Sequence, residues 1–355
     1  MKKKSAAFYS PYWQIAGGGE RYLFQIAKAL SENYRIYFIG QGHLLKKARE
    51  VFGIELRGEF LDPELMKGDA AKRFRLMKRF DLFFHTTDGS LFFPFARKNI
   101  LIIQSPKHIP ADSIFNHLKL FNWQTVCYSD FMKGIIEERL KIKVKILSPA
   151  VNTDMFSYDE KKKKNIILNV GRYFSSDLHQ KNQEFLIDFF SRYHQDYFPG
   201  WQLILVGNVS ENSGIKYLEK LRAKIIGKPV SVYSNLAFSD LCRLYSQAKI
   251  YWHAAGFGQN LIKYPEKAEH FGITTLEAMA SGAVPVVFRA GGQLDIINNG
   301  INGIFWDDEE SLLERTAQIA ADENERGRLA AEAVIKADLY SLKHLREKVD
   351  EILQK

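Results

Sequence analysis

Two glutamates with seven residues between them, Glu269 and Glu277, are the most informative chemical feature of the sequence. Carboxylates cannot hold a phosphate, but they accept hydrogen bonds from sugar or ribose hydroxyls. Between them, Phe271-Gly272-Ile273-Thr274 leads into a short helix expected over 274–280. The free N–H groups and positive dipole end of that helix make an anion site suited to a diphosphate. One glutamate before the helix and one a turn into it would grip two hydroxyl-bearing parts of one ligand. Thr274-x-x-Glu277 is also the pattern of a capping box, in which Glu277 only closes the helix N-terminus. Arg172, directly after a strand, and Lys181, at the next helix start, would place two cations beside the same crevice. Negative charge growing on a departing diphosphate needs such groups, although loop cations are more often merely solvated. Gly17-Gly18-Gly19-Glu20 lacks a third glycine at position 22, which is Tyr, so it is not a dinucleotide fingerprint. It still permits close backbone approach to a phosphate or sugar, or a plain tight turn.

These residues need elements to position them. A strand over 5–12 precedes the glycines, and a helix over 20–31 follows with Leu23, Ile26, Ala27 and Leu30 on one face. Further strands are expected at 35–40, 82–85, 100–103 and 125–128, with a helix over 130–140. The irregular stretch 149–160 and Lys161-Lys162-Lys163-Lys164 read as an interdomain linker. The alternation then restarts, with strands at 166–170, 203–206, 230–233, 248–254 and 284–288 and helices at 182–193, 214–225, 238–247 and 274–280. Alternating strands and helices imply parallel sheets covered on both faces, in two α/β domains joined by a hinge. In such sheets ligands bind beyond the carboxyl ends of the strands.

The 355 residues suit two domains, and 46% hydrophobic with 26% charged residues excludes a disordered chain or a coiled coil. Two cysteines, Cys127 and Cys242, cannot build a disulfide framework or a structural zinc site. No apolar run approaches the roughly 20 residues of a membrane span. Met1-Lys2-Lys3-Lys4 has the look of a signal-peptide start, but Pro11 and Gln14 interrupt it, so a cytoplasmic location is expected. Residues 1–155 hold 25 Lys and Arg against 15 Asp and Glu, whereas residues 156–355 hold 25 against 26. The positive excess of the first half calls for an anionic partner there, a nucleic acid or a membrane surface.

The second half resembles the retaining glycosyltransferases of family 4. Glu269 and Glu277 match that family's paired-glutamate motif, flanked by Gly171-Arg172, Lys181-Asn182, Leu205-Val206-Gly207, Phe271-Gly272, Ala278-Met279-Ala280-Ser281-Gly282 and Gly291-Gly292. Gly17-Gly18-Gly19-Glu20 and Pro149-Ala150-Val151-Asn152 extend the likeness to the first half. The resemblance implies the GT-B fold: α/β, with two Rossmann-like doubly wound domains facing each other across a cleft. By the same resemblance, an acceptor-side domain covers 1–155 and a donor domain covers 156–338, with 339–355 crossing back as a helix. Glu269 would contact donor-sugar hydroxyls, and Glu277 would hold the ribose. Arg172 and Lys181 would bind the diphosphate, with main-chain amides near Phe271, Gly272, Ile273 and Thr274, while Gly18 and Gly19 approach on closure. The reaction implied moves a hexose from a nucleoside-diphosphate sugar to a hydroxyl, with retention and with neither metal nor cofactor. Two departures stand out. Arg172 and Lys181 are separated by a long loop, 173–180. In addition, Gln104 stands where many members carry a first-domain histidine, and Gln can hydrogen-bond a hydroxyl but cannot act as a base. His85 and His108 are acceptor-side candidates for that role, and His253, after Trp252 at a strand end, is a candidate for donor contact.

The run Tyr251-Trp252-His253-Ala254-Ala255-Gly256-Phe257-Gly258 resembles mannosyltransferase-like members, which implies GDP-mannose, with UDP-sugars close behind. The acceptor is expected to be a glycan or a lipid-linked saccharide. The segment 71–80 mixes cations with Phe74, Met77 and Phe80 and could bind an anionic membrane face, or it could be an ordinary core helix. Alternatives are a soluble acceptor such as a sugar phosphate, a silent sugar-nucleotide binder, or a nucleic-acid binder. No aromatic-basic repeat supports the last, so no nucleic acid is expected.

Overall fold

The computed structural model describes residues 3–14, 17–67, 69–156, 158–174, 180–209 and 212–354. The chain divides into two compact units, Met1–Ala150 with Leu342–Lys355, and Val151–Ser341. Among the described residues, the first unit holds β1 (Lys4–Tyr9), β2 (Tyr34–Ile39), β3 (Glu59–Leu61), β4 (Leu82–Thr86), β5 (Lys98–Ile102), β6 (Gln124–Cys127) and β7 (Lys145–Ile146). They lie in the order β3-β2-β1-β4-β5-β6-β7. The second unit holds β8 (Lys164–Val170), β9 (Gln202–Gly207), β10 (Val230–Ser234), β11 (Ala248–His253), β12 (Val284–Phe288) and β13 (Ile304–Trp306), in the order β10-β9-β8-β11-β12-β13. Neighbouring strands pair in parallel throughout.

Parallel strands joined by helical crossovers are covered on both faces and read as near-continuous apolar runs. β4 is buried at every position, and β8 is buried from Ile166 to Val170. In the second unit Trp252 anchors the core, with its ring edge-on to Phe189 and Phe198 at 5.6 and 6.2 Å between centroids. Its Nε1 donates to Thr316 Oγ1 at 3.0 Å, which fixes the helix Glu309–Ala321. That helix and Glu323–Asp338, for which the sequence pattern suggested no element, bring Leu312, Ile319, Leu329 and Ala330 into the same core. In the second of these helices the buried apolar positions are mostly alanine (Ala330, Ala333 and Ala337), which leaves a faint amphipathic signal.

The units divide at 150/151 rather than at 155/156, because Val151 belongs structurally with the end of the second unit. Its N–H donates to Tyr340 O at 2.8 Å, and it bridges to Ser341. The lysine run is not an interdomain linker either, since it lies inside the second unit and Lys164 already starts β8. The Lys163 ammonium donates to Ala248 O and Ser281 O at 2.7 and 2.6 Å, and burial pushes its pKa down to about 7. The final helix, Leu342–Gln354, joins the first unit and packs Leu345, Val349 and Ile352 against the helix Gly18–Leu30.

One open reading is decided and one expectation is corrected. In the helix Ala70–Met77, Met77 and the following Phe80 face the core, and of the three apolar residues only Phe74 is exposed. The apolar side of a helix beside a sheet is the side it packs, so no membrane-facing stripe is left there. His85 does not follow a strand but lies within β4, 2% exposed, stacked on Tyr9 at 5.3 Å and beside Phe92 and Trp123. Burial pushes its pKa down to about 4, so it is a neutral core residue at neutral pH.

Two outcomes follow for stability. Leu345→Ala should cost the first unit about 2–5 kcal/mol in urea unfolding, while the transition of the second unit stays in place. His85 takes up a proton on unfolding between its native pKa of about 4 and its unfolded value of 6.5. Stability is therefore lost as pH falls through that window, by up to about 3 kcal/mol. Unfolding curves at pH 7 and pH 5 should differ less for His85→Phe than for the wild type.

Candidate functional site

The order of each sheet reverses direction once, between β1 and β4 in the first unit and between β8 and β11 in the second. At such a switch point the adjoining crossovers depart to opposite sides and leave a crevice beyond the strand ends.

In the second unit the residues that follow β8 and β11 stand at this switch point. His253, the last residue of β11, is 1% exposed, and its Nε2 lies 3.0 Å from Glu269 Oε2. The Lys181 ammonium is ion-paired with the same oxygen. The Lys181 and Glu269 side chains are only 11% and 13% exposed, so the pair is largely shielded from water. Removing either member would leave an uncompensated, nearly buried charge. Burial pushes the His253 pKa down, against the pull of Glu269, so the ring is neutral at neutral pH. A carboxylate can only accept, so the imidazole proton sits on Nε2. The Lys181 stem is set by its neighbours: a side chain on Gly171 would overlap Lys181 Cγ, and Asn182 donates to Ala254 O at 2.7 Å and Phe257 O at 3.0 Å.

Arg172 follows β8, half-buried, with its guanidinium 5.3 Å from the Phe174 ring centre. The loop section 175–179 between it and Lys181 lies outside the described residues. Gly272 is the N-cap of the helix Ile273–Ala280 at φ +108°, a left-handed conformation open to glycine and strained for other residues. The helix therefore begins one residue earlier than expected. Thr274 and Glu277 become its second and fifth positions, which cannot form a capping box. Glu277 is instead 2% exposed and accepts from Tyr245 Oη at 2.8 Å. Tyr251 Oη bonds Thr274 Oγ1 at 2.7 Å, and burial raises this phenol so that it stays a donor. Gly292 N–H donates to Glu269 O at 2.7 Å and fixes the backbone that carries the carboxylate.

Thus the structure gathers Lys181, His253 and Glu269 into one contact, and places Phe271, Gly272, Ile273 and Thr274 at a helix start. Tyr245, Tyr251 and Gly292 were not identifiable as supports from sequence. The available signal was chemical: a buried phenol needs a hydrogen-bond partner. Among the described residues, no group of three or more His, Cys, Asp or Glu side chains converges as a metal cage.

In the first unit, Gly18 and Gly19 begin the helix Gly18–Leu30, and Glu20 accepts from Gly17 N–H at 2.9 Å. A side chain on Gly19 would run into the Gln104 amide, which lies 3.5 Å from Thr86 Oγ1. Gln104 therefore sits against the glycine turn at the carboxyl ends of β4 and β5. His108 stacks on Tyr12, with Nε2 3.1 Å from Tyr12 Oη, and burial lowers its pKa. His85 stays in the core.

The family Glycosyl transferases group 1 matches residues 151–334. The probable sucrose-phosphate synthase of Thermosipho melanesiensis is 27% identical over 187 residues, covering 51% of this chain and 40% of that protein. A GDP-mannose-dependent alpha-mannosyltransferase of Corynebacterium glutamicum is 28% identical over 135 residues, covering 37% and 28%. The chain thus spans less than half the length of these curated relatives. Among solved structures, Anabaena HepE in complex with UDP-glucose superposes with a TM-score of 0.74 at 18% identity, covering 98% of this chain and 99% of that one. WaaG, a glycosyltransferase involved in lipopolysaccharide biosynthesis, superposes with a TM-score of 0.63 at 17% identity over 98% and 99%. These likenesses cover both units and show the GT-B fold. With the family match running over more than half its length, the chain belongs to the group 1 glycosyl transferases.

Proposed function

We propose that this chain is a retaining, metal-independent hexosyltransferase, moving a sugar from a nucleoside diphosphate to a hydroxyl of a glycan or lipid-linked saccharide. The observation that carries the reading is the Glu269 carboxylate, shared by Lys181 and His253 at the switch point, with a helix N-terminus that has no side-chain cap three residues on. Without donor, Lys181 neutralises Glu269. An incoming diphosphate competes for the ammonium and releases the carboxylate to accept from sugar hydroxyls, while neutral His253 keeps it oriented. As the bond from the sugar C1 to the diphosphate breaks, charge collects on the departing phosphate oxygen. Arg172, Lys181 and the amides from Gly272 to Thr274 stabilise it there. Glu277, set by Tyr245, holds the ribose.

GDP-mannose is the donor we favour, supported by the likeness to the GDP-mannose-dependent alpha-mannosyltransferase of C. glutamicum. UDP-glucose is the second reading, supported by the full-length likeness to a protein solved with that ligand.

Calorimetric titration with GDP, UDP and ADP in the presence of a chelator should find one nucleotide bound. Glu277→Ala should weaken that binding by about tenfold to a hundredfold, and Glu277→Gln, which keeps an acceptor for Tyr245, should fold like the wild type. If both variants bind as tightly as wild type, Glu277 serves the fold alone. Arg172→Ala should lower kcat by about a hundredfold or more. A kcat within about threefold of wild type would remove it from the leaving-group role.

A further inference from the structure

We propose that two stacked, buried tyrosines are positioning residues for the donor: Tyr251 aims the Thr274 hydroxyl at the diphosphate, and Tyr245 aims the Glu277 carboxylate at the ribose. The proposal deepens the donor-site reading above and rests on it. What it adds is a hydroxyl that grips phosphate and a division of labour between two phenols beneath one helix.

Thr274 and Glu277 are three positions apart on the helix Ile273–Ala280, so they share a face. The two phenols reach that face from different elements. Tyr245 lies in the last turn of the helix Phe238–Gln247, and Tyr251 lies inside β11. Both are fully buried, and their rings stack with 6.4 Å between centroids and planes 29° apart. Phe156 meets the Tyr245 ring edge-on at 5.4 Å, which confines it further. Phenylalanine would serve if packing were the only task, because a buried hydroxyl costs free energy unless it is hydrogen-bonded. Here each hydroxyl ends on a side chain of the candidate site.

The bond directions follow from the chemistry of the partners. A carboxylate only accepts, so Tyr245 donates its one hydrogen to Glu277 Oε2, at 2.8 Å. The Tyr251–Thr274 pair, at 2.7 Å, has two hydrogens to place. Tyr251 Oη also lies 3.4 Å from Val170 O, at the end of β8, the longer of its two contacts. Burial keeps this phenol protonated. With Tyr251 donating to Thr274, the threonine keeps its own hydrogen to give away. Thr274 is half-buried, and among the described residues Tyr251 is the one hydrogen-bond partner of its hydroxyl. A phosphate oxygen accepts, so an anion at the helix start completes a chain from Tyr251 through Thr274 to phosphate. Each bond in such a chain polarises the next, and a bond to a charged acceptor is the stronger kind.

The two phenols thus act on separate parts of one ligand, and removing either hydroxyl leaves a distinct signature. Competition against bound nucleotide reads it. Inorganic pyrophosphate probes the diphosphate place, and the preferred nucleoside diphosphate with its 2′,3′-dideoxy form probes the ribose. Tyr251→Phe should weaken pyrophosphate about tenfold and leave the ribo-to-dideoxy affinity ratio at its wild-type value. Tyr245→Phe should shrink that ratio about tenfold while pyrophosphate binds as in the wild type. Thr274→Val should reproduce Tyr251→Phe, and the two together should lose no more than either alone. Thr274→Val removes only a half-buried hydroxyl, so it tests the diphosphate half even where a phenol variant fails to fold, and failure of that half overturns the proposal. Equal weakening of every probe by both phenol variants, or no change in any, would assign the tyrosines to the fold alone. A wild-type chain that binds neither nucleotide nor pyrophosphate would instead overturn the donor-site reading itself.

Discussion

Parallel pairing is the constraint on which the rest of this molecule depends. When neighbouring strands run the same way, every crossover leaves from one edge of the sheet and returns to the other. The loops that follow strands are therefore collected at one end. Where the winding reverses, those loops part. Arg172 after β8 and His253 at the end of β11 are 81 positions apart in sequence, yet the order β10-β9-β8-β11-β12-β13 makes their strands adjacent. A chemical site at this place is a consequence of topology before any side chain is considered.

Within the second unit the controlling group is the Glu269 carboxylate. It is nearly dry, so it needs compensation, and Lys181 supplies it while a neutral His253 donates the second bond. The arrangement holds two opposed charges together, largely shielded from water. Glu277 is organised differently, by one buried phenol from a helix more than thirty residues away. The two glutamates of one motif are thus held by unlike means.

The first unit shows how a charge pattern separates from an apolar pattern. Its basic helix turns Met77 inward, with Phe80 just after it, while the helix Ile114–Leu120 leaves Ile114, Phe115 and Leu118 outside, with Phe121 just after it. Sequence periodicity cannot rank the two helices, because periodicity reports that a face is apolar and not what covers it. Gln104 and His85 divide similarly. The amide packs on the glycine turn, and the histidine disappears among aromatic rings where burial keeps it neutral.

Much of the fold was legible in the amino-acid order. Apolar runs four to eight residues long, alternating with amphipathic segments, specify parallel α/β units. The spacing of Glu269, Gly272 and Glu277 likewise sets a carboxylate, a left-handed turn and a second carboxylate along one short path. Those are local properties, set by sterics, propensity and period. Tertiary structure alone decided that Lys181 closes on Glu269, that Tyr245 rather than a helix N-terminus binds Glu277, and that Lys163 is a clasp within the second unit. It also decided which apolar faces remain outside. Each of these outcomes depends on pairs of residues brought together by folding, and on the cost of leaving a buried polar group without a partner. Neither can be read from residues taken in sequence order.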